Sequence, residues 1–229
     1  MRTCGVPLCI QDTLELKFNG RMIAGLRSLQ YETQRGMYVH PTYAVTPQRE
    51  PLDAWMWARE PKHADGLRSG GKESTRWVDG YDRVAELAAG MTTRLAYVAD
   101  RESDILALNV KARDLGRLAD WLIRSRTNRV LPNGGKLWDD VTACVPMGTI
   151  CFTMPARKDQ KVREVRQQIW AKRVDLADRA KGVERVTCLV ERELEATAGV
   201  TPVEWRPLSN REVADFEASA QLIFWYRAR

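Results

Sequence analysis

The chain has 229 residues, 44% of them hydrophobic, enough to bury the core of one or two domains. No run approaches the roughly eighteen apolar residues of a membrane span, and residues 1–7 lack the apolar centre of a signal peptide, so a cytoplasmic protein with no membrane partner is expected. A formal net charge of +6 favours a polyanionic partner without identifying one, and Cys4, Cys9, Cys144, Cys151 and Cys188 show no C-x-x-C spacing, which points to reduced thiols rather than zinc.

The first elements read as extended. Leu8 and Ile10 alternate with Cys9 and Gln11, and Leu14, Leu16 and Phe18 alternate with Glu15 and Lys17. Asn19-Gly20 is a turn dipeptide. Residues 37–46 and 52–58 form two further strands, with Pro41, Pro47 and Pro51 marking ends or edges. From Ser74 the period becomes helical through Trp77, Tyr81, Val84 and Ala88, and Gly90 supplies the stop. Residues 94–99 form a short apolar strand, Ser103 begins a helix with Ile105, Leu106 and Leu108 inward, and residues 118–123 form another strand. The order is three strands, helix, strand, helix, strand.

Asn133-Gly134-Gly135 marks a boundary. Beyond it, residues 149–154 and 186–191 read as strands enclosing a stretch that carries Arg157, Lys158, Lys161, Arg163, Arg166, Lys172, Arg173, Arg179, Lys181 and Arg185. Such a stretch is ordinarily a solvated, partly helical surface; phosphate contact becomes the better reading only if DNA is implicated by other residues. Val213, Phe216, Ala220, Ile223 and Phe224 form one face of a helix starting near Ser209 or Asn210.

The chemistry-bearing residues are acids at strand ends. Asp100 follows the apolar run 95–99, with Glu102 and Asp104 close behind, and Asp12 follows Leu8-Cys9-Ile10-Gln11. Two carboxylates on adjacent strand ends are suited to Mg²⁺ or Mn²⁺, which take oxygen ligands. The competing reading is a helix cap or turn former, although Ser103 and Asp104 are rival cap candidates beside Asp100. Two-metal phosphoryl transfer uses ions about 4 Å apart, so two aspartates suffice for one ion and a third carboxylate is needed for two.

These residues resemble the DDE transposases of bacterial cut-and-paste insertion elements, in the subgroup with a Y-(2)-R-(3)-E-(6)-K signature. Ile10-Gln11-Asp12-Thr13 resembles the first-acid strand, Arg35-Gly36 and Val39-His40 the next core strand, and Lys72-Glu73-Ser74 with Trp77 the start of the first core helix. Ala99-Asp100-Arg101-Glu102-Ser103-Asp104-Ile105 is similar to the second-acid motif D-R-E-A-D-I, with Ser103 in place of Ala. Thr201-Pro202 and Trp205 resemble the return from the insertion domain, and Tyr226 and Arg229 match the Y and R of the signature. The resemblance implies a mixed α/β, ribonuclease-H-like fold. Its core would begin in residues 1–130, a β-rich insertion would occupy 131–205, and the final core helix would start within 206–229. It implies Asp12 and Asp100 as catalytic metal ligands, Mg²⁺ (or Mn²⁺) as cofactor, and transposon-end DNA as partner. A homodimer within a synaptic complex follows from the family alone. Tyr226 and Arg229 would contact DNA phosphates. Trp205 would stack on a flipped base or else serve as an ordinary core aromatic.

The signature's Glu and Lys would fall beyond Arg229, and the DNA-binding domain of full-length relatives would precede Asp12, so the chain resembles the middle of a transposase. Glu191, Glu193, Glu195, Glu212 and Glu217 are other acids. Glu217 stands more than three helical turns before Arg229, roughly 18 Å along a helix axis, too far to substitute. The expected function is Mg²⁺-dependent DNA strand cleavage and joining by ancestry, with this chain alone inactive or nearly so. The alternatives are a non-catalytic DNA-binding or dimer-interfering remnant, and a remnant that does not fold stably because its last helix is incomplete.

Overall fold

The computed structural model describes residues 5–18, 20, 23–24, 26–29, 34–58, 73–156, 161–178, 182–196 and 199–229. Cys4, Asn19, Lys72, Arg157, Lys158, Arg179 and Lys181 lie outside the described residues. The chain divides into two compact units, Met1–Ala119 and Asp120–Arg229. Both α-helices and a mixture of parallel and antiparallel strands are present, as a mixed α/β chain requires.

The first unit contains β1 (Leu8–Gln11), β2 (Leu14–Lys17), β3 (Arg27–Ser28), β4 (Arg35–Val45), β5 (Pro51–Ala58), α1 (Glu73–Ala89), β6 (Ala96–Ala99), a 3-10 turn (Arg101–Ser103) and α2 (Leu106–Asp114). The strands run β2-β4-β1-β6, with β3 and β5 also on β4. β4 pairs antiparallel with β1, β2, β3 and β5, whereas β1 and β6 are parallel. A parallel pair needs a crossover, and here α1 is the helix of that crossover. Its apolar residues at helical spacing, Trp77, Tyr81, Val84 and Ala85, are all buried.

All four residues of β1 and all four of β6 are buried. The alternation read at Leu8 and Ile10 therefore does not mark a half-exposed strand: with sheet neighbours on both sides and both faces covered, even the polar Gln11 is buried. Ser103 does not begin a helix. It closes the 3-10 turn, and α2 starts three residues later with Ile105 as its N-cap.

The second unit contains β7 (Asp120–Arg124), α3 (Leu137–Thr142), β8 (Gly148–Met154), β9 (Arg163–Asp178), β10 (Gly182–Glu193), β11 (Glu204–Trp205), β12 (Pro207–Ser209) and α4 (Phe216–Arg227). Its strands run β7-β12-β10-β9-β8, with β11 also on β10, and every pairing within it is antiparallel. The described part of the basic stretch is thus the long β9–β10 hairpin, not partly helical surface. Buried Val165, Ile169 and Val174 carry a two-residue strand pattern through the charges, broken only between 170 and 173.

The last helix starts at Phe216 rather than near Ser209 or Asn210. Those two residues close β12 instead, Ser209 as its last residue and Asn210 just past it: Ser209 Oγ donates to the Trp121 carbonyl at 2.7 Å, and Asn210 Oδ1 accepts from the Trp121 amide at 2.8 Å. Asp215 caps α4 by accepting from the Ala218 amide at 2.8 Å. The buried face of α4 is Ser219, Leu222, Ile223, Trp225 and Tyr226, and Phe224 is 48% exposed. The large rings of Trp225 and Tyr226 take the core and rotate the expected face away from Phe224.

Candidate functional site

Asp12 and Asp100 are brought together by strand register. Gln11 is the partner of Ala99 in the parallel β1–β6 pair, so each aspartate is the first residue past the end of neighbouring strands about 4.8 Å apart. Both are partly exposed. Asp12 Oδ1 accepts the Thr13 amide at 2.8 Å, and Asp100 Oδ1 accepts the Arg101 amide at 2.5 Å. Asp100 is therefore the N-cap of the 3-10 turn, so the cap role set against it in the sequence is real and coexists with its place beside Asp12. Ser103 Oγ donates to the Asp100 carbonyl at 2.5 Å, which fixes the loop that follows.

The support beneath this pair is polar and fully buried. Tyr97 donates its hydroxyl to Gln11 Oε1 at 2.7 Å and to the Trp77 carbonyl at 3.2 Å, and Gln11 Nε2 donates to the Arg76 carbonyl at 3.2 Å. Burial holds the Tyr97 hydroxyl well above its ordinary pKa, so it stays a donor. Gly80 of α1 lies so close to Gln11 Oε1 that a Cβ there would overlap it. On the other side, Thr13 Oγ1 and His40 Nδ1 share a 3.2 Å hydrogen bond, and the buried His40 ring stands edge-on to Trp77 at 6.0 Å. Cys9 is buried in the same strand, and desolvation pushes its thiol up to about 12, leaving it unreactive.

Two carboxylates at one sheet end are a chemically suitable donor set for a hard divalent cation. Glu102 is exposed and Asp104 is buried. Among the described residues no group of three or more His, Cys, Asp or Glu side chains is arranged to hold a metal.

In the second unit, Trp205 and Tyr226 meet at 6.0 Å between ring centroids, and Trp205 also stacks on Phe152 at 6.3 Å with planes 12° apart. The Arg227 guanidinium lies 3.7 Å over the Phe152 ring. Trp205 is half-buried, Tyr226 is buried and Arg229 is exposed. Trp205 and Tyr226 are thus in contact, and the Arg229 amide donates to the Tyr226 carbonyl at 3.3 Å just past the end of α4.

The basic hairpin is largely neutralised from within. Arg163 pairs with Glu193, Lys172 with Asp140 at 2.8 Å, Arg173 with Glu212 at 3.7 Å, and Arg185 with Asp175 at 2.7 Å. Arg163 and the Val203 amide hold the Glu193 carboxyl below its ordinary range against the opposing effect of burial. Lys161 and Arg166 are the exposed cations of the described part of the basic stretch that make none of these pairs, and Arg192 farther along β10 pairs with Glu204 at 3.0 Å.

Sequence reasoning weighed Glu191 only as a spare acid for the metals and passed over Arg227 and Phe152. Glu191 is 0% exposed, neither of its oxygens has a hydrogen-bond partner among the described residues, and it is the cross-strand partner of Trp205. Burial pushes its carboxyl up to about 8, against the lowering pull of Arg227 and then Arg124. The signal in the sequence was a glutamate closing the run Val186-Thr187-Cys188-Leu189-Val190, where a two-face-buried strand leaves no wet side for it.

No protein-family model matches the chain, and no curated protein matches it. Among solved structures, a piggyBac transposase synaptic complex with hairpin DNA aligns over 96% of this chain and 37% of that one, at 10% identity and a TM-score of 0.46. This chain thus spans well under two thirds of that protein. Endonuclease V of Ciona intestinalis, in complex with a 24mer DNA containing an inosine, aligns over 96% of this chain and 77% of that one, at 10% identity and a TM-score of 0.34. Likenesses this distant say nothing of what the chain does.

Proposed function

We propose that the chain is a DNA-acting protein of the transposase kind, with Asp12 and Asp100 forming the nucleus of a divalent-metal site. The observation that carries this reading is the parallel register of Gln11 with Ala99, which sets the two aspartates side by side at one end of the sheet. The resemblance of residues 99–105 to a second-acid motif supports it from the sequence side. Asp12 and Asp100 would hold Mg²⁺ or Mn²⁺. When bound, the ion would supply Lewis-acid activation of a phosphodiester oxygen. The chain's own part is to hold the carboxylates: the Thr13 and Arg101 amides fix one oxygen of each, and Gln11 with Tyr97 fixes the strand below.

DNA would be held by the second unit. Arg229 is exposed for phosphate contact and Trp205 offers part of an indole face, whereas the buried Tyr226 acts by bracing Trp205. The net charge of +6 supplies long-range attraction. DNA binding without turnover is the activity proposed for this chain by itself.

A gel-shift titration with duplex DNA tests this. Binding that weakens steeply with salt and tightens with Mg²⁺ is expected, and Asp12→Asn with Asp100→Asn should remove the Mg²⁺ effect alone. Undetectable binding at low salt would refute the DNA reading. Efficient Mn²⁺-dependent cleavage of a supercoiled plasmid, lost in Asp100→Asn, would refute the expectation of binding without turnover.

A further inference from the structure

Among the described residues, five strands pair with a single neighbour: β2, β3 and β5 with β4, β11 with β10, and β8 with β9. A strand edge left in this way offers outward N–H and C=O groups to any other strand, and charges or prolines on it discourage that pairing. β2 carries Glu15 and Lys17, β3 Arg27, β5 Pro51 and Asp53, and β11 Glu204. β8 carries neither a charge nor a proline from Gly148 to Met154. Its ladder with β9 runs from Gly148 opposite Ile169 to Met154 opposite Arg163 without a bulge. No residue of β8 is buried: Thr149, Cys151 and Thr153 are exposed, and Gly148, Ile150, Phe152 and Met154 are half-buried.

The sequence of β8 is matched about its middle residue. Laid antiparallel against a second copy with Cys151 opposite Cys151, Ile150 of each chain stands opposite Phe152 of the other, Thr149 opposite Thr153, and Gly148 opposite Met154. Aromatic with β-branched and threonine with threonine are favourable cross-strand pairs. Every residue of the strand is then paired, and the exposed row of one copy continues the exposed row of the other. A two-fold centre one residue away shortens the ladder, and a centre between two residues sets the exposed row against the half-buried one. Trp205, stacked on Phe152 at 6.3 Å, holds that ring in place before any pairing.

We propose that β8 is a dimerisation edge, at which two copies of this chain join antiparallel about a two-fold axis beside Cys151. The uncharged edge permits the pairing, and the matched sequence makes a second copy the strand that fits it. An isologous contact of this kind uses the same edge on both copies and closes at two, so assembly stops at the dimer. The inference goes beyond the DNA reading and needs neither DNA nor the metal site.

Sedimentation equilibrium of the full chain in reducing buffer, without DNA, tests this. The mass should rise with concentration from one chain towards two and no further. Directly opposite residues of an antiparallel pair have Cα atoms about 4.5–5.5 Å apart, within the reach of a disulfide, so brief copper-phenanthroline oxidation should link the two Cys151 thiols. Cys151→Ser should keep the doubled mass and lose the covalent dimer. Cys151→Lys, at an exposed position, should leave the melting temperature unchanged and hold the chain monomeric, because like charges then face each other across the axis. A wild-type chain that is monomeric at every concentration, or growth beyond two copies, would overturn the proposal. So would a covalent dimer that survives Cys151→Ser, or a dimer that survives Cys151→Lys. The wild-type and serine measurements decide the matter even if the lysine variant does not fold.

Discussion

Gly80 sits in the middle of α1, where glycine costs about 1 kcal/mol relative to alanine, and Gln11 explains why it is there. The Gln11 side chain is fully buried, held by Tyr97 and the Arg76 carbonyl, and fills the space a Cβ would need. Gly80→Ala should therefore destabilise the protein, by about 1–3 kcal/mol, although helix propensity alone predicts a gain. Tyr97→Phe should cost about 1–3 kcal/mol by leaving Gln11 Oε1 buried without its donor. Urea denaturation curves check both, and a Gly80→Ala protein as stable as wild type would show that Gln11 has room to move. At the catalytic candidates, asparagine is the informative substitution. Its side-chain oxygen still accepts from the Thr13 or Arg101 amide, so the cap survives while the charge is removed.

Burial and pairing act in opposite directions on two glutamates of the same strand, and this gives β10 a pH signature. The Glu193 carboxyl is lowered by Arg163, so its contribution to stability is present above its unfolded pKa and is lost as pH falls through the folded value. The Glu191 carboxyl is raised from 4.5 to about 8 by burial, so stability falls as pH rises from 4.5 and levels off above about 8. That shift corresponds to about 5 kcal/mol at most. Stability should therefore peak on the acid side of neutrality. Glu191→Gln should lift the alkaline limb by a few kcal/mol, and Arg163→Ala should lower stability above the unfolded pKa of Glu193 by removing its cation. Thermal melts across pH test this, and an alkaline limb unaltered by Glu191→Gln would contradict it. The strands themselves were legible because β6 and the end of β10 are short apolar runs between polar turns. Their partners were not, since neither sequence alternation nor composition encodes which strand lies beside which. α4 was misplaced for a related reason. Ser209 and Asn210 read as the start of the helix, but their side chains are committed to the Trp121 backbone of β7.

For the molecule as a whole, net charge pointed to a polyanionic partner, but the location of that charge was not legible. Phosphate contact stayed a conditional reading for Arg163, Lys172, Arg173 and Arg185, and the fold instead brings Glu193, Asp140, Glu212 and Asp175 to them. The salt dependence of the proposed DNA binding should accordingly owe little to these four cations, and their conversion to Gln should leave it nearly unchanged. The two strand-end aspartates were legible as candidates because each directly follows a short apolar run, where an acid serves as a cap, a ligand or both, and the β1–β6 register adds what sequence could not, their adjacency. That adjacency is tested most directly by calorimetric titration of Mn²⁺ into the wild-type chain and into the Asp12→Asn, Asp100→Asn double variant. Weak, saturable binding to the wild type, abolished in a double variant with an unchanged metal-free melting temperature, is the predicted result. Identical binding curves for the two proteins, or no saturable binding to either, would contradict it.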